Sequence, residues 1–102
     1  MIPKNSTVLV AVMDSSNAFR FRKRLVDFYN KNKLNEFPLI FEESKDSFTI
    51  IASTPNLRVH NKVSRIVKLI SLFQKKKLRL YTFVSSGQLD EVKSVIKRLR
   101  EC

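Results

Sequence analysis

DSFTIIASTPNLRVHNKVSRIVKLISLFQKKKLRLYTFV, residues Asp46–Val84, repeats in outline the stretch NSTVLVAVMDSSNAFRFRKRLVDFYNKNKLNEFPLIFEE, residues Asn5–Glu43. A shift of about 41 residues lays Val8–Met13 on Thr49–Thr54, Arg24–Tyr29 on Arg65–Ile70 and Phe37–Phe41 on Leu78–Thr82. Shared letters are few (Ala11/Ala52, Arg24/Arg65, Val26/Val67, Leu39/Leu80), so the signal lies in the order and spacing of elements. Each half reads as strand, helix, strand.

The pattern inside each half supports this. Thr7–Met13 is a valine-rich run without alternation, as expected of a strand covered on both faces. Asp14–Ser15–Ser16–Asn17 offers four residues able to cap the helix that follows. From Ala18 to about Lys33, Ala18, Phe21, Leu25, Phe28 and Tyr29 share one face, while Arg20, Lys23, Arg24 and Lys31 face water. The asparagines of Asn30–Asn35 suit a left-handed helix end. Glu36–Glu43 alternates as a strand, and Pro38 suggests a sheet edge or an early position in the strand. Ser44–Ser47 is of hairpin length, so Phe48–Ser53 pairs antiparallel with it.

Thr54–Pro55, a hydroxyl cap followed by proline, predicts the second helix start, with a start nearer Asn61 as the alternative. Val59, Val63, Ile66, Ile70 and Phe73 form its apolar face, and Arg58, Lys62, Arg65 and Lys68 lie away from it with Leu72. Lys75–Lys77 closes the helix in favourable relation to its dipole. Leu78–Val84 is the fourth strand. Ser85 with Gln88 suggests a capping box for a last helix over residues 87–101, striped with Leu89, Val92, Ile96 and Leu99.

Two strand–helix–strand units joined by a hairpin make a ferredoxin-like βαββαβ arrangement, an α+β fold with a four-stranded antiparallel sheet. The extra amphipathic helix is expected on the sheet's second face. The 102 residues form one domain, 43% hydrophobic, with a single glycine and no linker. The first residues run straight into a strand and carry no signal-peptide pattern, and no run of about 20 apolar residues suggests a membrane span. Cys102, the one cysteine, excludes an internal disulfide and reads as a bystander thiol.

Charge is the strongest compositional feature. Twenty Lys and Arg against nine Asp and Glu give +11, which points to an acidic partner. The expected function is a non-enzymatic binding module that contacts nucleic-acid phosphates through Arg20, Lys23, Arg24, Lys31, Arg58, Lys62, Arg65 and Lys68. A peptide- or protein-binding adaptor, using the seam between the halves or an open sheet edge, is the first alternative. Open edges also admit a homodimer. His60, the only histidine, has no metal-ligand company and is expected at the surface, and no cofactor is expected.

Three families share parts of this layout. An RNA-recognition module has the same element order, but the first strand here, VLVAVM, has no aromatic, and the third, FTIIAS, has only Phe48 and lacks that family's glycine–aromatic spacing. Phe19–Arg20 is similar to the Phe–Arg step of acylphosphatase, without that family's glycine-rich loop. Met13–Asp14–Ser15 followed by basic Arg20–Arg24 resembles the small nuclease-fold subunit of CRISPR-associated systems. That resemblance would make Asp14 a divalent-cation ligand and the protein a metal-dependent nuclease. Over its full length the sequence resembles small proteins of filamentous viruses (lipothrixviruses) that infect hyperthermophilic Acidianus. This resemblance implies the host cytoplasm at high temperature and assigns no activity.

Overall fold

In the computed structural model, which describes residues 2–101 apart from the side chain of Leu89, the elements follow the expected order. They are β1 (Thr7–Asp14), α1 (Ala18–Lys31), β2 (Leu39–Glu43), β3 (Ser47–Thr54), α2 (Leu57–Phe73), β4 (Arg79–Val84) and α3 (Leu89–Glu101). The strands form one antiparallel sheet in the order β2-β3-β1-β4, so the fold is ferredoxin-like with an added C-terminal helix. β2 is an edge strand, where Pro38 lies just outside the ladder and offers only its carbonyl, to the Ser53 N–H at 3.0 Å. No helix among the described residues is long and apolar enough to cross a membrane.

The unbroken apolar run of β1 follows from its place at the centre of three layers. Every residue from Val8 to Met13 is fully buried. Leu9, Ala11 and Met13 point into the main core with Phe21 and Leu25 of α1 and with Val63, Val67 and Ile70 of α2. Val8, Val10 and Val12 point the other way, onto Val92, Val95, Ile96 and Leu99 of α3. Full burial of such a side chain is worth about 1.5–3 kcal/mol, so β1 is the energetic centre of both layers. The expected Leu89 contact and the Cys102 thiol lie outside the described residues.

The repeat is visible in the ladder. β1 and β3 pair from Thr7↔Thr54 to Asp14↔Ser47, with Val10 opposite Ile51 near the middle. Residues that the sequence shift equates, such as Val10 and Ile51 or Leu39 and Leu80, face the same layer. The helices obey a shift one residue longer: Ala18, Phe21, Leu25 and Phe28 correspond to His60, Val63, Val67 and Ile70. The equivalence of Arg24 with Arg65 is therefore off by one position.

Several local expectations are corrected, each because a tertiary contact outranks a local one. Asp14 does not cap α1; its carboxylate accepts from the Ser16 N–H and hydroxyl and from Lys76, and Asn17 occupies the cap position without a side-chain bond. Thr54 does not cap α2 either, because it is still paired with Thr7, whose carbonyl its hydroxyl reaches. Asn56 takes that role, accepting from the Val59 N–H at 3.0 Å. Before α3 the expected Ser85–Gln88 box is replaced by Glu91, which accepts from the Ser86 N–H, while the Ser85 hydroxyl accepts from Gly87. The left-handed end of α1 falls on Lys33, not on an asparagine.

Phe73 leaves the apolar face of α2 and is 70% exposed. Lys75–Lys77 follows the helix and does not line its last turn. His60 is buried, not exposed, since it holds the first inward position of α2, three residues before Val63. Its Nε2 lies 3.3 Å from the Thr82 hydroxyl, and burial, then the nearby Lys68 charge, push its pKa down.

Candidate nucleic-acid interface

The right-handed crossovers place α1 and α2 side by side on one face of the sheet. The end of α1 lies against the first half of α2, and the start of α1 against the end of α2. Their outward faces carry Arg20, Arg22, Lys23, Arg24 and Lys31 on α1 and Arg58, Lys62, Arg65 and Lys68 on α2, all exposed. Asp27 is the only carboxylate on either helix. Nine cations and one anion give this layer a net +8 out of the chain's +11.

Acidic residues are concentrated elsewhere. Glu42, Glu43 and Asp46 surround the β2–β3 turn, and Asp90, Glu91 and Glu101 lie on α3 among Lys93, Lys97, Arg98 and Arg100. The helix layer thus faces solvent with positive charge interrupted only by Asp27, and the α3 side with both signs. A like-charged surface of this kind repels itself and attracts a polyanion.

The eight expected contact residues do not form one stripe. Lys62 and Arg65 meet Phe28, Asn32, Ile66 and Leu69 at a groove of about 230 Å³ on the seam between the helices. Arg20 and Arg24 sit at the opposite end of that seam, where Asn17, Phe73, Gln74 and Lys75 complete a second groove of about 420 Å³. Lys23 lies on the far flank of α1 with Phe19, Arg22 and Val26. There Arg22 holds its guanidinium 5.0 Å above the Phe41 ring of β2. Phe73, Gln74 and Lys75 are the members that sequence reasoning missed, since helical period put Phe73 in the core. The one hint was a phenylalanine followed by four polar or charged residues, Gln74 to Lys77, at a helix end.

Asp14 is brought together with an ammonium group. Lys76, whose side chain is only 2% exposed, donates to Asp14 Oδ1 at 2.8 Å, to the Ser16 hydroxyl at 3.0 Å and to the Ser16 carbonyl. Those hydrogen bonds from Lys76 and Ser16 hold the Asp14 carboxyl well below its usual range, at about 2. Among the described residues no group of three or more His, Cys, Asp or Glu side chains could hold a metal ion. On the other side of the sheet, Tyr81 and Phe83 stack with their rings 6.0 Å apart, and Phe83 packs against the α3 cluster. The face that serves other ferredoxin-like folds as a ligand platform is here occupied by α3.

The chain matches no protein-family model, and no curated protein is detectably similar to it.

Proposed function

We propose that the protein is a non-enzymatic binding module that holds nucleic acid by its phosphates across the α1–α2 layer. One observation carries this reading: nine exposed cations against one carboxylate on two adjacent helices, with the remaining acids kept to other parts of the molecule. The neutralisation of Asp14 by Lys76 supports a role in structure for the one carboxylate that nuclease chemistry would need. Phosphate contacts release condensed counterions, so affinity falls with salt by roughly 0.9 log units per log unit for each phosphate neutralised. The host cytoplasm, which the resemblance to proteins of filamentous viruses implies, is where this binding is proposed to occur.

Titration of a labelled oligonucleotide at rising salt tests it. Four contacts predict a loss of about a hundredfold between roughly 50 and 200 mM salt. Lys62→Glu together with Arg65→Glu lowers affinity at least about tenfold for any base sequence and flattens the salt slope by about two. Binding that ignores salt, or no binding at low salt, overturns the reading. Retention of a protein partner after nuclease treatment would favour the adaptor alternative.

A further inference from the structure

We infer that the groove at the start of α1 and the end of α2 holds an unpaired nucleotide, with Phe73 stacked on its base, so that the protein prefers single-stranded nucleic acid to duplex. This deepens the function proposed above and rests on it. Phe73 falls in step with the buried positions Val63 and Ile70 yet turns its ring into solvent beside Arg20, Arg24 and Lys75. An aromatic ring flanked by cations with no acid among the groove-lining residues is the chemistry of a base on its stacking partner with the phosphate alongside. A duplex keeps its base faces covered by neighbouring bases and offers the ring nothing to stack on.

Gln74, next in the chain, is the second observation. Both its amide oxygen and its amide nitrogen are out of water and have no hydrogen-bond partner. Each such orphaned group carries the cost of leaving water with nothing in exchange. The edge of a base, adenine in particular, presents a donor and an acceptor side by side, and a glutamine amide satisfies both at once after rotation of its side chain. The local field agrees. Asn17 brings the N–H end of the 14-residue α1 to the groove. The last carbonyls of α2 are already taken by the N–H groups of Gln74, Lys75 and Lys76. A lipid surface fits less well, because inserting Phe73 into acyl chains would carry the Gln74 amide and Asn17 into a medium without partners.

Anisotropy titrations with short oligothymidylate, short oligoadenylate and the duplex of the two provide the test, with anionic phospholipid vesicles in parallel. Wild type is expected to bind either single strand at least about tenfold tighter than the duplex. Phe73→Ala, a change at an exposed position, lowers single-strand affinity by about 5- to 150-fold and leaves duplex affinity unchanged. Gln74→Leu lowers affinity for oligoadenylate about fivefold or more. The chain has no tryptophan, so Phe73→Trp supplies a single indole, excited apart from Tyr29 and Tyr81 at long wavelength, whose fluorescence is quenched when a base stacks on it. Equal binding of single strand and duplex, with Phe73→Ala silent, overturns this inference while leaving the phosphate-binding function standing. Loss of vesicle binding in Phe73→Ala with no nucleic-acid effect also overturns it, in favour of a membrane. Absence of any nucleic-acid binding by wild type removes both.

Discussion

The ends of the two long helices are built alike in backbone and opposite in chemistry. Lys33 after α1 and Lys75 after α2 are both left-handed, with φ of 57° and 56°. In each case the next two N–H groups turn back in the same way. Lys33 donates to Asn30 and Leu34 to Tyr29; Lys75 donates to Leu72 and Lys76 to Ser71. This is the Schellman closure, made twice with lysine where glycine is usual. The residue that completes it differs. Leu34 is buried in the main core, whereas Lys76 is buried in a nest of oxygens from Asp14 and Ser16. One half seals its helix end with apolar contact, the other with a charge that also ties down the loop between β1 and α1. The same backbone device accepts either, provided the side chain finds partners suited to it.

Exchanging the two solutions breaks the comparison most severely. Leu34→Lys would put an ammonium group into a site lined with apolar side chains, and a loss of about 3 kcal/mol or more is expected from the denaturation midpoint. A loss under about 1 kcal/mol would mean that the first half can also recruit oxygen partners there.

Lys76→Ala should cost less, about 2 kcal/mol, because the Asp14 side chain is 53% exposed and water replaces part of what the ammonium supplied. Acid provides a milder form of the same test. Asp14 titrates at about 2 in the folded chain against 3.8 for an ordinary aspartate, so the unfolded chain takes up its proton first. Its contribution is complete above about pH 4 and disappears as pH falls towards 2, with a size under about 1 kcal/mol at this exposure. Asp14→Asn should remove that part of the acid dependence, and an unchanged acid profile would deny the pair its role.

The smallest effect sharpens the likeness between the halves. Lys33→Gly relieves a left-handed side-chain-bearing residue and should raise stability by about 1 kcal/mol without moving Leu34. A decrease would show that the lysine stem contributes more by packing than its conformation costs.

Much of the architecture was legible before any coordinates. The shift between halves, the valine run of β1, Pro38 at an edge and the stripe on α3 each express a periodicity or a steric rule that local sequence obeys. The cap residues were not legible, because Asp14 and Thr54 are drawn into partners distant in sequence, Lys76 and Thr7. His60 was misjudged because a polar letter outweighed its place in the helical stripe. For the interface, charge and exposure could be read from eight residues, but the division of five of them among two seam grooves and an outer flank could not.

By itself, then, the chain's pattern of apolar and polar residues determined the order of elements, the two-faced burial of β1 and the excess of cations on two helices. Those properties follow from periodicity and composition, which act over a few residues at a time. Only the tertiary structure decided that Phe73 would stand beside Arg20 and Arg24, and that Lys76 would cross to Asp14. Both depend on antiparallel helices bringing the end of one against the start of the other. That meeting is settled by how the helices pack on the shared sheet, across 49 positions of chain or more.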